Sequence, residues 1–249
     1  MKDDREKRNE TVLDPKREPD EMESGKAVKT EGWEAITQAF EGIYPEQKNP
    51  LHFGTLISWM LGGPDPLDGI SVYDGGDFWH FVTYGFSELY DKESEDPERS
   101  GYGFELTVKL KKSPEAMNAA CEKGAEHGPG PGRYVPEGDD EIRGMAGILQ
   151  ALGRYVFENG AVLRPFEYIY TGQENGMDPQ GASKITGFIT VADEAGSIRT
   201  SNGKVEFVQL IGATDRELKA VMDGNVSVAE LTRLLGGTVT DYLRGDVTG

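Results

Sequence analysis

The chain is poor in the residues that most often carry chemistry. It has one cysteine, Cys121, in 249 residues. A lone thiol closes no internal disulfide, so nothing points to a bridged framework or an oxidising compartment. Histidine is scarce too, with His52, His80 and His127 far apart. They fall in no zinc-ligand spacing and in no His-Glu-x-x-His motif. No apolar run reaches the roughly 18 residues that cross a bilayer. The first residues, Met1-Lys2-Asp3-Asp4-Arg5, run into further charge and offer no apolar signal core. These absences lead us to expect a cytoplasmic chain with no cofactor and no metal.

Positive charge is also short. Lys plus Arg number 26 against 44 Asp plus Glu, a net charge of -18. So acidic a chain repels phosphate backbones and anionic membrane surfaces, which argues against nucleic-acid and membrane partners. Opposite fields steer association, so a basic protein or peptide is the partner that the charge favours.

Catalytic motifs are missing as well. Gly85-Phe86-Ser87-Glu88-Leu89 opens like a nucleophile elbow but lacks the second glycine. No phosphate-cradling Gly-x-x-x-x-Gly-Lys-Ser/Thr occurs, and Gly101-Tyr102-Gly103 lacks the third glycine of a dinucleotide turn. Gly128, Gly130 and Gly132 interleave with Pro129 and Pro131, which have no backbone donor to offer an anion. The acidic stretch from Glu88 to Glu98 lacks the ordered ligand spacing of a calcium loop and reads as a solvated loop. Cys121 beside Glu122 reads as an inert thiol.

What is present divides the chain in two. Seventeen of the first 30 residues are charged, eight positive and nine negative. Such a segment cannot bury enough surface to offset its ordering entropy, so 1–30 reads as a disordered charged tail and 31–249 as the domain. Nearly all of the net negative charge therefore belongs to the domain.

Trp33, Ile36, Phe40 and Ile43 recur at three and four, which predicts a helix capped by Thr30 and stopped at Tyr44-Pro45. Strands are predicted at 69–73 and 78–84. At 104–111, Phe104, Leu106, Val108 and Leu110 alternate with Glu105, Thr107, Lys109 and Lys111, the period of a strand with one buried face. A Pro- and Gly-rich loop spans 113–140, with a short helix near 115–123. Ile142, Met145, Ile148, Leu149, Leu152, Tyr155 and Val156 predict a four-turn helix ended by Asn159-Gly160. Further strands are read at 166–171, 185–192 and 205–211. Capping-box pairs at Thr214/Glu217 and Ser227/Glu230 open two closing helices, with Leu231, Leu234 and Leu235 inward. The order predicts an α+β fold with a mixed, largely antiparallel β-sheet flanked by helices.

One ordered series of segments is more specific. It includes Gly32-Trp33-Glu34-Ala35-Ile36, Asn49-Pro50-Leu51, Leu61-Gly62-Gly63-Pro64-Asp65-Pro66-Leu67-Asp68, Gly101-Tyr102-Gly103-Phe104-Glu105-Leu106-Thr107, Arg154-Tyr155-Val156-Phe157 and Phe207-Val208-Gln209-Leu210-Ile211-Gly212. The series resembles the N-terminal domain of the Suppressor of fused family, from about Gly32 to about Gly245. The resemblance implies binding rather than catalysis, with an extended peptide held as an added strand. It implies partner-binding roles for Tyr155 and for Glu167, where the family carries Asp. The chain is similar to single-domain bacterial members, many of which look like immunity proteins that neutralise a toxin.

Each residue also has a plainer reading. Tyr155 is in phase with the apolar helix face and fits core packing. Glu167 in a strand fits a solvent-facing position. Gly62, Gly63, Pro64 and Pro66 fit a fixed turn, with Asp65 and Asp68 capping its backbone donors. The competing functional reading is a hydrolase that uses carboxylates and His80 in a cleft.

Overall fold

The computed structural model describes residues 29–57, 59–114, 116–117 and 140–249. Most of the tail, Cys121, His127 and most of the expected 113–140 loop with its helix lie outside them.

Helix α1, Glu31–Ile43, buries Ile36 and Phe40 as its periodicity requires. Thr30 does not cap it in the expected way; its hydroxyl donates 2.7 Å to the Glu34 carboxylate instead. Strands β1 (Leu51–Gly54), β2 (Gly69–Asp74), β3 (Phe78–Tyr84) and β4 (Arg99–Lys111) follow. A single 3-10 turn, Trp59–Leu61, precedes β2. Helix α2, Asp140–Asn159, leads to β5 (Tyr168–Tyr170), β6 (Ile185–Thr200) and β7 (Gly203–Thr214). Helices α3 (Asp215–Met222) and α4 (Val228–Leu235) and the two-residue β8 (Val239–Thr240) close the chain.

The strands form one eight-stranded sheet in the order β1-β2-β3-β4-β7-β6-β5, with β8 also on β4. Among the described residues only the pairings of β4 with β7 and β8 are parallel. The expected α+β fold with a mixed, largely antiparallel sheet is therefore observed.

The sheet is covered on both faces. On one side α2 packs Ile142, Met145, Leu149 and Val156 against Phe104, Leu106, Val108 and Leu110 of β4. On the other, α1 covers Tyr73, Val82, Tyr84 and Phe207. Beside α1 on that face, Leu218 of α3 and Leu231 of α4 pack on Ile189, Val191, Ile211 and Ala213. This corrects the one-faced reading of β4. Glu105 and Thr107 are wholly buried and Lys109 nearly so, because α1 and the β6–β7 hairpin roof the face they point to.

Smaller differences have local causes. The Thr214–Glu217 capping box forms in both directions, and Ser227 accepts from Glu230 N. Gly236, with φ +72, ends α4 in the left-handed region. Leu234 is exposed rather than inward, since Leu231 already fills the core position of that short helix. Leu56, Ile57 and Leu61 are exposed as well, because their segment runs over the surface between β1 and the docked loop described below.

Candidate partner-binding site

Helix α2 is both a core element and a platform. Its inner face carries the apolar residues named above. Its side receives the 62–68 loop, which resolves the role of the Gly-Gly-Pro-Asp-Pro run. Gly62, at φ +84, turns the chain and donates to Trp59 O at 2.9 Å. Gly63 and Pro66 are buried, whereas Pro64 is exposed. Gln150 of α2 then holds Leu67 through both backbone groups, accepting from its N–H at 3.2 Å and donating to its carbonyl at 3.1 Å. Arg154 donates to the Asp65 carboxylate at 2.7 Å. Asp65 was expected to cap its own turn, but it serves this cross-element pair instead. Asp68 is half-buried, and that burial pushes its carboxyl up. Its carbonyl accepts from Thr55 N at 3.1 Å.

Tyr155 follows Arg154. Its side chain is 52% exposed, so core packing does not describe it; Val156 takes the buried position at that turn. The Tyr155 carbonyl accepts from Asn159 Nδ2 at 2.8 Å, and Gly160, at φ +64, releases the chain from the helix. Val162 and Leu163 then pack on the core.

Phe166 departs from the expected strand. Its φ is +70, among the described residues the one positive value outside glycine, and its ring is 64% exposed. Its N–H donates to Thr190 O at 2.8 Å, which fixes the kink. Glu167 therefore lies before β5, not within a strand. Its carboxylate accepts from Arg164 N at 2.9 Å and faces the Arg164 guanidinium at 3.8 Å. It is a local clasp, and its side chain remains partly exposed.

Strand β5 pairs with β6 along one side, from Tyr168↔Ile189 to Tyr170↔Gly187. It is the last strand of the sheet, and its other edge has no strand partner among the described residues. Tyr168 and Tyr170 are exposed while Ile169 packs inward. An open groove of about 220 Å³ lies beside the same segment, between Val162–Arg164 and Arg99, Tyr102 and Lys204. Tyr155 and Glu167 thus occupy the two ends of one connection, from the last turn of α2 to the head of a free edge strand. Sequence reasoning missed Phe166 as a kink although Pro165 just before it is a turn signal; the Thr190 carbonyl, far along the chain, accepts the bond that holds it.

His80 belongs elsewhere. It is wholly buried under α1, with Nδ1 2.9 Å from the Tyr44 hydroxyl and Nε2 3.2 Å from Asp193 Oδ2. Asp193 also accepts from Thr107 Oγ1 and Ala195 N, each at 2.8 Å. Burial works against the Asp193 charge, yet the bonds from His80, Ala195 and Thr107 together hold its carboxyl below the usual range. Burial, with Glu194 and Asp193 nearby, pushes the Tyr44 hydroxyl up. Both imidazole nitrogens are engaged, so no ring atom faces a substrate. His52 is separate, 3.0 Å from Ser71 Oγ, and burial lowers its basicity. Among the described residues no group of three His, Cys, Asp or Glu side chains is placed to hold a metal ion. No helix among them is long and apolar enough to cross a membrane.

The fold and this edge define an α+β domain of a known kind. The chain belongs to the Suppressor of fused family: the family model for Suppressor of fused protein (SUFU) matches residues 63–244. It is 29% identical over 237 aligned positions to the Suppressor of fused homolog of Mus musculus, and that alignment covers 86% of this chain. The Homo sapiens homolog is 28% identical over the same share. The chain spans 43% of the length of each of these relatives. A chain from the Sufu–Fu complex crystal structure superposes with a TM-score of 0.70 at 31% identity, covering 88% of this chain and 92% of that one. The crystal structure of Drosophila Suppressor of Fused gives the same score and identity, with 51% of that chain covered.

Proposed function

We propose that residues 31–249 are a non-enzymatic protein-binding domain that captures an extended peptide of its partner along the free edge of β5, with 1–30 as a charged tail. The carrying observation is that edge: three residues, Tyr168–Tyr170, paired on one side, with Tyr168 and Tyr170 exposed, exposed Phe166 just before them, and Tyr155 and Glu167 at the two ends of the lead-in. Main-chain bonds along an added strand supply affinity, and neighbouring side chains supply selectivity. A similar chain has been crystallised as a Sufu–Fu complex, which supports a protein partner. The net charge of -18 favours a basic partner, and an immunity protein that neutralises a basic toxin in the cytoplasm is the specific form of this reading. The competing hydrolase reading loses support because His80 lies in no cleft.

A photo-crosslinking residue at Tyr168 tests the proposal, with one at exposed Leu243 as the control. A partner peptide crosslinked at 168 but not at 243, and lost with Tyr155→Ala, is the expected result. Equal capture at both positions, or capture indifferent to Tyr155, would remove the site.

A further inference from the structure

The groove beside Val162–Arg164 is built by an irregularity in the parallel pairing of β4 with β7. Arg99 pairs with Lys204 and Phe104 with Glu206, so β4 runs from 99 to 104 while β7 runs only from 204 to 206. The surplus residues of β4 bulge out of the ladder. Tyr102 N–H donates to Phe86 O at 2.9 Å, which pins the bulge. Gly103 lies in the left-handed region at φ +82. A Cβ there would lie 2.5 Å from Arg99 Cγ and Cδ, so the Arg99 stem rests on bare Gly103 backbone. Close packing thus places the Arg99 guanidinium at the rim of the groove.

The floor is apolar and the rim is charged. Phe104 is buried, while Tyr102, Val162 and Leu163 are half-buried. The Tyr102 ring meets Phe157 of α2, with centroids 5.2 Å apart. Arg99, Arg164 and Lys204 surround this floor together with Glu98 and Glu206, three cations to two carboxylates in a chain of net charge -18. Both carboxylates are engaged: Glu98 accepts from Arg199 at 3.1 Å, and Glu206 accepts from Lys204. The two guanidiniums are only loosely opposed. Asp96 stands 3.8 Å from Arg99, and Glu167 stands 3.8 Å from Arg164.

Size and charge together narrow the ligand. The groove holds about 220 Å³, less than the roughly 300–1,000 Å³ that buries a whole small molecule. It therefore suits one residue of a longer ligand. A guanidinium fork matches a carboxylate through two parallel bonds. One carboxylate balances the excess of one positive charge at the rim, whereas a phosphate would bring a second negative charge beside Glu98 and Glu206. An Asp or Glu side chain offers the carboxylate but no group to cover Tyr102, Val162 and Leu163. A chain terminus with a large apolar side chain offers both from a single Cα.

We propose that this groove captures the C-terminal residue of a partner chain, its carboxylate on Arg99 and Arg164 and a large apolar side chain on Tyr102 and Leu163. The source of the ligand rests on the protein-binding reading above, but the groove needs nothing from the edge of β5.

The probe is N-acetylphenylalanine, titrated into the ¹⁵N-labelled full chain and followed by NMR. It should shift the Tyr102, Leu163 and Arg164 amides and saturate at about millimolar concentration, as befits so small a ligand. N-acetylphenylalaninamide lacks the charge and acetate lacks the ring, so neither should shift them at the same concentrations. Arg99→Gln and Arg164→Gln should each weaken binding by about tenfold, the loss of a charge-assisted pair, with the melting temperature unchanged. Absence of shifts, equal shifts from the amide or acetate, or binding indifferent to both arginine variants overturns the groove as a carboxylate site. N-acetylglutamic acid α-amide binding as tightly as N-acetylphenylalanine overturns the C-terminal form. Failure of the β5 edge reads differently: crosslinking at Tyr168 is lost while the probe still binds.

Discussion

Gln150 and Leu67 are bonded in both directions across 83 residues of sequence, side-chain amide to main-chain amide. This single side chain satisfies a loop N–H and a loop carbonyl that would otherwise be left unpaired as the loop packs on α2. Gln150→Leu keeps the bulk and removes both bonds. Each stranded polar group costs about 1–3 kcal/mol. The variant should therefore lose roughly 2–4 kcal/mol in urea unfolding, with an unchanged m-value. A loss under half a unit would mean that the loop is held by Arg154–Asp65 and apolar packing instead.

Two glycines of α2 should respond in opposite senses to the same change. A Cβ at Gly147 meets nothing within 4 Å, so Gly147→Ala should stabilise the chain by about 0.5–1 kcal/mol through helix propensity. A Cβ at Gly153 would lie 3.0 Å from both Pro66 Cγ and Leu67 Cγ of the docked loop. Gly153→Ala should forfeit that gain and destabilise. Thermal unfolding of the pair gives the comparison directly, and equal shifts would show that the loop moves aside without strain.

The Asp193 carboxyl is held below its ordinary value of 3.8, so its contribution to stability is present above that value and lost as pH falls through the folded one. Asp193→Asn removes the charge that His80, Thr107 and Ala195 all address. It should destabilise by about 1–3 kcal/mol near neutrality. The gap from wild type should narrow as acid protonates the native carboxyl. Denaturant melts across the acid range check both the size and the sign; a gap that widens in acid would contradict the network.

How far the sequence could be read depended on how local each signal was. Helices α1 and α2, β2 and β3, and the Thr214 capping box were legible because the deciding residues are neighbours in the chain. Glu105 was misread for the opposite reason. Alternation marks it as a polar residue on a one-faced strand, while the helix that roofs it is more than sixty residues away. Asp65 looked like a turn cap until Arg154, 89 residues on, claimed its carboxylate. Of the candidate site, Tyr155 and Glu167 were named through family resemblance. The free edge of β5 was not legible at all, since strand order is set by pairings that leave no mark in any one segment.

Phe166 should separate stability from binding. A non-glycine residue in the left-handed region carries roughly 1–2 kcal/mol of strain, and this ring recovers little of it by burial, being 64% exposed at φ +70. Phe166→Gly relieves the strain but gives the unfolded chain more freedom, so the net expectation is a gain of up to about 1 kcal/mol. Phe166→Ala keeps the strain and removes the ring, and should leave stability within about half a unit of wild type. If the ring contacts a captured peptide, both variants should weaken crosslinking at position 168 while only glycine raises the melting temperature. A fall in stability with glycine would instead show that the ring's contacts outweigh the backbone strain. In that case the kink serves the fold rather than a partner.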